Sequence, residues 1–79
     1  MNRDELNRAL LGAHAREEQI ELVRLYTLAA EERERARDTD AACFYLTHAF
    51  VFALECGAPE AIELNQRLAD LGRIHRLAF

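Results

Sequence analysis

Residues that interrupt helices are scarce in this chain of 79 residues, which has one proline and three glycines. Disordered segments are usually enriched in proline and glycine, so the composition argues against disorder and favours helices. A chain this short forms one domain at most and buries only about 60% of its unfolded surface. We therefore predict a single domain over residues 1–79, with residues 73–79 either docked as one more helical turn or frayed.

Long hydrophobic runs are also absent. The longest apolar stretch covers residues 49–54, whereas a membrane-spanning helix needs about 20 residues. The amino-terminal residues are charged and no apolar run follows them, so we expect no signal peptide. Cys43 and Cys56 fall thirteen positions apart on one predicted helix. That is roughly 20 Å, too far for a disulfide. These features predict a cytoplasmic protein in a reducing compartment, with no membrane partner.

Lysine is missing, and all ten basic residues are arginine. With the many alanines, this composition is typical of GC-rich bacterial coding sequences. The net charge of −4 disfavours the phosphate-neutralising surface that a nucleic-acid-binding protein needs. We therefore expect no nucleic-acid partner.

Hydrophobic periodicity predicts four helices, over residues 3–13, 17–37, 40–56 and 59–71. Asn2 is placed to cap the first helix, and either Asp38 or Thr39 can cap the third. Gly57 suits the left-handed position after a helix end, and Pro59 suits the first turn of the next helix.

The breaks between these helices recur about every twenty residues, near residues 16–17, 37–38 and 57–58. Even spacing of helix and turn is typical of stacked helical hairpins. The predicted fold is all-α, with three to four antiparallel helices stacked as hairpins.

One part of the chain, residues 26–49, resembles a tetratricopeptide repeat. Ala30 stands at the small position of the first helix, and Asp38 follows Arg37 at the turn. Ala42 and Ala49 stand at the small positions of the second helix. The resemblance implies a tetratricopeptide-like scaffold that binds peptides or other proteins.

Candidate catalytic and metal-binding groups are few. His14 and Glu18 are four residues apart at a helix junction, while Cys43 and His48 point to different sides of the third helix, so neither pair forms a ligand set. Cys43 lies in an apolar run and Cys56 at a helix carboxyl end, and both are interpreted as core residues. We expect no metal, no cofactor and no catalytic residue, and hence a protein that is not an enzyme.

The predicted third helix is apolar on nearly all sides, so it must be covered on nearly all sides. His48 and Glu55 form its only polar stripe, which either meets solvent or lies in a groove or subunit interface. We predict that Phe52 is a core residue, on the same face as Tyr45 and Ala49.

Other large apolar side chains lie on the opposite side of this helix, and the neighbouring helices offer little apolar cover for them. Exposed apolar patches usually mark interfaces, so we predict a homodimer with the third helix at the contact. In the competing account, residues 73–79 fold back over the patch and leave a monomer. The interface candidates are Phe44, His48, Phe50, Val51, Leu54 and Glu55.

Taken as a whole, the residues predict a protein–protein interaction or self-association module, with a protein or peptide as partner. Two alternatives stay open. A DNA-binding regulator fits the short break at residues 37–40, although the helix after it offers no basic or amide side chains to read bases. An enzyme subunit could share its site across an oligomer interface.

Overall fold

The computed structural model of the protein describes residues 2–72. In that range the chain forms four α-helices, α1 (Arg3–Ala15), α2 (Gln19–Arg35), α3 (Thr39–Cys56) and α4 (Glu60–Asp70). The described part contains no strand, so the predicted all-α class is confirmed, with helix ends within two residues of those expected. The predicted docked or frayed tail, residues 73–79, lies outside the described residues.

The first three helices end in the same way. Glu17, Arg37 and Gly57 adopt left-handed backbone conformations, with φ of 55°, 60° and 68°. After each of them the next N–H donates to a carbonyl five residues back, as Asp38 does to Arg33 at 2.9 Å. These are Schellman caps, and their positions fall twenty residues apart, which confirms the periodicity of the breaks.

Side chains cap two of the helix starts. The Asn2 side chain accepts from the Glu5 N–H at 2.8 Å, as its position predicted. At α3 the cap is Asp38, which accepts from the Ala41 N–H at 3.2 Å, so Asp38 rather than Thr39 fills this position. The structure thus satisfies locally the backbone donors that a helix start leaves free.

The four helices pack as adjacent antiparallel pairs. Within residues 2–72, α1 packs against α2, α2 against α3, and α3 against α4. Two groups of buried side chains hold these pairs together. One lies between α1 and α2, around Leu6, Leu22 and Leu25. The other joins α2, α3 and α4, around Leu46 and Leu64. The layout is that of hairpins stacked in chain order.

The two hairpins, α1–α2 and α3–α4, are offset by forty residues along the chain. The same offset separates the left-handed residues Glu17 and Gly57. Three pairs of positions at this offset are buried in both hairpins, whereas other pairs differ, since Leu22 is 2% exposed and Ile62 is 58% exposed. The matched buried pairs are Leu6 and Leu46, Ala13 and Ala53, and Leu25 and Asn65.

The rotation of α3 about its axis differs from the prediction. Its buried arc is centred on Leu46 and Ala53, because α2 and α4 pack on either side of that line. Phe50 falls inside the arc and is only 4% exposed, which corrects its placement among the interface candidates. Phe52 and Cys56 fall at the edge and are only half-buried, so neither is a fully buried core residue.

Candidate interaction surfaces

The solvent side of α3 carries a stripe of side chains spaced three, four and three residues apart, which we call the α3 stripe: Phe44, Thr47, Val51 and Leu54. Phe44, Val51 and Leu54 are 58%, 43% and 46% exposed. Thr47 is exposed as well, and its hydroxyl donates to the Cys43 carbonyl at 2.8 Å. Spacing of this kind is that of the contact positions in a coiled coil. The structure therefore brings three of the predicted interface candidates together on one exposed face.

His48 and Glu55 flank this stripe, but each is held by a partner on α2. The His48 ring stacks on Tyr26 with centroids 5.1 Å apart and meets Phe44 edge-on at 4.6 Å. The Glu55 carboxylate accepts a hydrogen bond from the Gln19 side-chain amide at 3.2 Å. His48 is half-buried, whereas Glu55 is exposed, so the choice between a solvent-facing stripe and an interface stays a prediction.

Beside the stripe, aromatic rings from three helices gather around Tyr26. Its hydroxyl lies 2.9 Å from Nε2 of His14, and its ring stacks on Phe52 at a centroid distance of 5.9 Å. Tyr45 lies next to it at 6.2 Å. Burial of the phenol raises the pKa of Tyr26, and the neighbouring Tyr45 adds to the shift. Sequence reasoning missed this cluster, because its members lie on different helices and share no periodicity.

Several clefts border α2 in the described part of the chain, and two of them have nearly equal volumes. One, of about 400 Å³, lies at the meeting of the carboxyl ends of α1 and α3, and is lined by His14, Glu17, Gln19, Leu22 and Phe52. The other, of about 390 Å³, is more apolar, and is lined by Ile20, Val23, Arg24, Thr27, Leu28 and Glu60. The first contains hydrogen-bonding, anionic and aromatic groups together, so it has the more specific chemistry.

Metal-ligand and thiol groups are dispersed. In the described part of the chain, no group of three or more histidine, cysteine or carboxylate side chains is placed to hold a metal ion. Both cysteines are free thiols, Cys43 buried, as predicted, and Cys56 half-buried.

None of the helices in residues 2–72 is both long enough and apolar enough to cross a membrane. Comparison of the chain with models of protein families, with curated proteins and with solved structures found no match in any of the three. Functional inference therefore depends on the surfaces themselves.

Proposed function

We propose that this domain is a protein-interaction module that pairs with a second copy of itself through the α3 stripe. The observation that carries the proposal is the exposure of Phe44, Val51 and Leu54 at coiled-coil spacing on one helix face. Isolated exposed apolar side chains are common on protein surfaces. A row of three along a single helix is more typical of a contact surface.

A second copy is a suitable partner because the stripe is complementary to itself. In an antiparallel pair of α3 helices, Phe44 of one copy lies opposite Leu54 of the other, and Thr47 lies opposite Val51. This arrangement is two-fold symmetric, as most homodimers are. The stripe spans just under three helical turns, roughly 15 Å. A contact of this length buries less than the ~800 Å² per partner of a standard interface. We therefore expect a weak, micromolar dimer.

The resemblance to tetratricopeptide repeats supports an interaction role as well. Ala30, Ala42 and Ala49, which stand at the motif's small positions, are all fully buried at helix contacts. The helices also pack in chain order, and the left-handed residues after the first three helices recur every twenty residues. Scaffolds of this kind bind peptides or proteins along one face. The two free thiols fit a reducing, cytoplasmic location.

The proposal is tested by light scattering coupled to size exclusion at tens of micromolar protein. We expect a mass approaching twice the 9.1 kDa of one chain, which falls on dilution. Val51→Glu should reduce it to one unit while circular dichroism shows unchanged helicity. The matched control is Ile62→Glu, which alters an exposed apolar residue of α4 (58% exposed) and should leave the dimer intact.

Two outcomes would refute the pairing. One is a mass of one chain at every concentration up to about 100 micromolar. The other is a dimer that Ile62→Glu disrupts and Val51→Glu does not. Phe50→Glu is unsuitable for this experiment, because Phe50 is buried and a charge there would unfold the domain.

A further inference from the structure

One side of α4 has no neighbouring helix in the described part of the chain. The backbone of α4 packs against α3, and its Arg67 side chain reaches α2, where it donates to Glu34 at 2.7 Å. Ile62 lies about 140° around the helix from Arg67, and it is 58% exposed. Half-buried Ala69 follows Ile62 two turns later on the same line. These two residues form an uncovered apolar strip, which we call the α4 edge.

The chain leaves α4 by the same turn that ends the three helices before it. Gly72 has φ of 72°, and its N–H donates to the Ala69 carbonyl, three residues back, at 2.9 Å. The left-handed residues after the earlier helices form the same bond, as Gly57 does to Leu54 at 3.3 Å. After each of those turns the chain reverses, and the next helix packs on the one before. By the same geometry, a chain that leaves Gly72 is directed back along α4.

The amino acids that follow this turn match the surface of α4 in chemistry. Residues 73–79 contain an isoleucine, a leucine, a phenylalanine and two arginines, and no aspartate or glutamate. Next to the α4 edge, α4 exposes the carboxylates of Glu63 and Asp70. Glu63 forms no ion pair within the described residues. The reach is also sufficient, since seven extended residues span about 23 Å and α4 is about 16 Å long.

We propose that residues 73–79 fold back along α4 as a strap that covers Ile62 and places its arginines next to Glu63 and Asp70. The strap gives α4 a second neighbour, as α2 and α3 each have. It shields apolar surface that would otherwise be open to contacts with other proteins. The placement differs from the account in which the same residues cover the α3 stripe, and it does not depend on self-association.

The test is urea unfolding of the full chain, followed by circular dichroism at low micromolar protein, where pairing of copies does not contribute. The tail variant carries Leu77→Ser and Phe79→Ser together. These substitutions should lower the urea midpoint of the parent protein. They should lower the midpoint of Ile62→Ser much less, because that protein has already lost the apolar surface beneath the strap. Non-additive effects of this kind are expected for side chains in contact.

Two controls locate the strap. Ile20→Ser alters the more apolar of the two clefts beside α2, and Val51→Ser alters the α3 stripe. Both residues are exposed, at 72% and 43%, so both variants should fold. In each of them the tail substitutions should lower the midpoint as much as they do in the parent.

Three results would overturn the proposal. The first is an unchanged midpoint when the tail substitutions are made in the parent. The second is an equal decrease in the parent and in Ile62→Ser. The third is a decrease that disappears in Val51→Ser or Ile20→Ser instead, which would place residues 73–79 on the α3 stripe or in the cleft.

Discussion

The hydroxyl of Tyr26 and the Nε2 atom of His14 lie 2.9 Å apart, and this hydrogen bond joins the last turn of α1 to the middle of α2. The same tyrosine ring stacks on His48 and Phe52 of α3. One side chain therefore connects three helices. Tyr26 also lies between the α3 stripe and the cleft. His48 contacts the stripe at Phe44, and His14 and Phe52 line the cleft.

Tyr26 should make the domain sensitive to high pH. Burial favours the neutral phenol and raises the pKa of Tyr26 above its usual value of about 10. A raised pKa in the folded state means that this stabilisation is complete below about pH 10 and is lost as the pH rises through the folded-state pKa. We expect the melting temperature to decrease as the pH is raised above about 10, and to decrease less in Tyr26→Phe.

The matched control is Tyr45→Phe. It removes a hydroxyl for which no hydrogen bond is found within residues 2–72. It should retain most of the alkaline loss of stability in circular dichroism melts, because burial, and not Tyr45, is the larger cause of the raised Tyr26 pKa. Equal losses in the two variants would show that Tyr26 is not its source. At neutral pH, Tyr26→Phe should cost at most about 1 kcal/mol for the lost hydrogen bond.

Arg37→Gly should stabilise the domain. Arg37 has φ of 60°, a conformation that costs roughly 1–2 kcal/mol in residues with a Cβ, whereas glycine loses roughly 0.5–1 kcal/mol of backbone entropy. The expected net gain is about 0.5–1 kcal/mol in the free energy of unfolding by urea. Ala36→Gly, at φ of −81°, is the control and should be destabilising. A loss of stability in Arg37→Gly would contradict the prediction.

The two neighbouring phenylalanines of α3 should differ in their effect on stability. Phe50 is 4% exposed and Phe52 is half-buried. Truncation of a buried phenylalanine to alanine costs about 3–5 kcal/mol, so Phe50→Ala should unfold the domain or nearly so. Phe52→Ala should cost about half as much, because less of its surface is buried. If Phe50→Ala does not fold, Phe50→Leu and Phe52→Leu give the same comparison. Equal costs would refute the observed rotation of α3.

Arg67 should contribute a stabilisation that depends on salt. Its guanidinium on α4 donates to Glu34 of α2 at 2.7 Å and lies 3.8 Å from Glu31. Arg67→Met keeps the aliphatic stem and removes both pairs, so we expect a loss of about 0.5–1 kcal/mol at low ionic strength. The loss should shrink in about 0.5 M salt, because salt at that concentration screens charges strongly. Arg35→Met is the control, since Arg35 forms no ion pair within the described residues. A loss unaffected by salt would instead indicate packing.

Features that depend on neighbours in the chain could be read from the residues alone. The side-chain cap at Asn2 and the left-handed Gly57 involve groups within five residues of one another, so their geometry follows from local chemistry. The four helices and their spacing follow for the same reason. The exposure of Phe44, Val51 and Leu54 on one face was also implied, because these residues share one side of a helical wheel.

Features that join distant parts of the chain were decided by packing. The arc of α3 that becomes buried depends on where α2 and α4 press against it. The buried arc differs from the one that the sequence predicted, so Phe50 lies in the core and Phe52 lies at its edge. The bonds from Tyr26 to His14 and from Gln19 to Glu55 join residues 12 and 36 positions apart. Helical periodicity gives the direction of each side chain about its own axis, and only the packing of one helix on another determines which side chains meet.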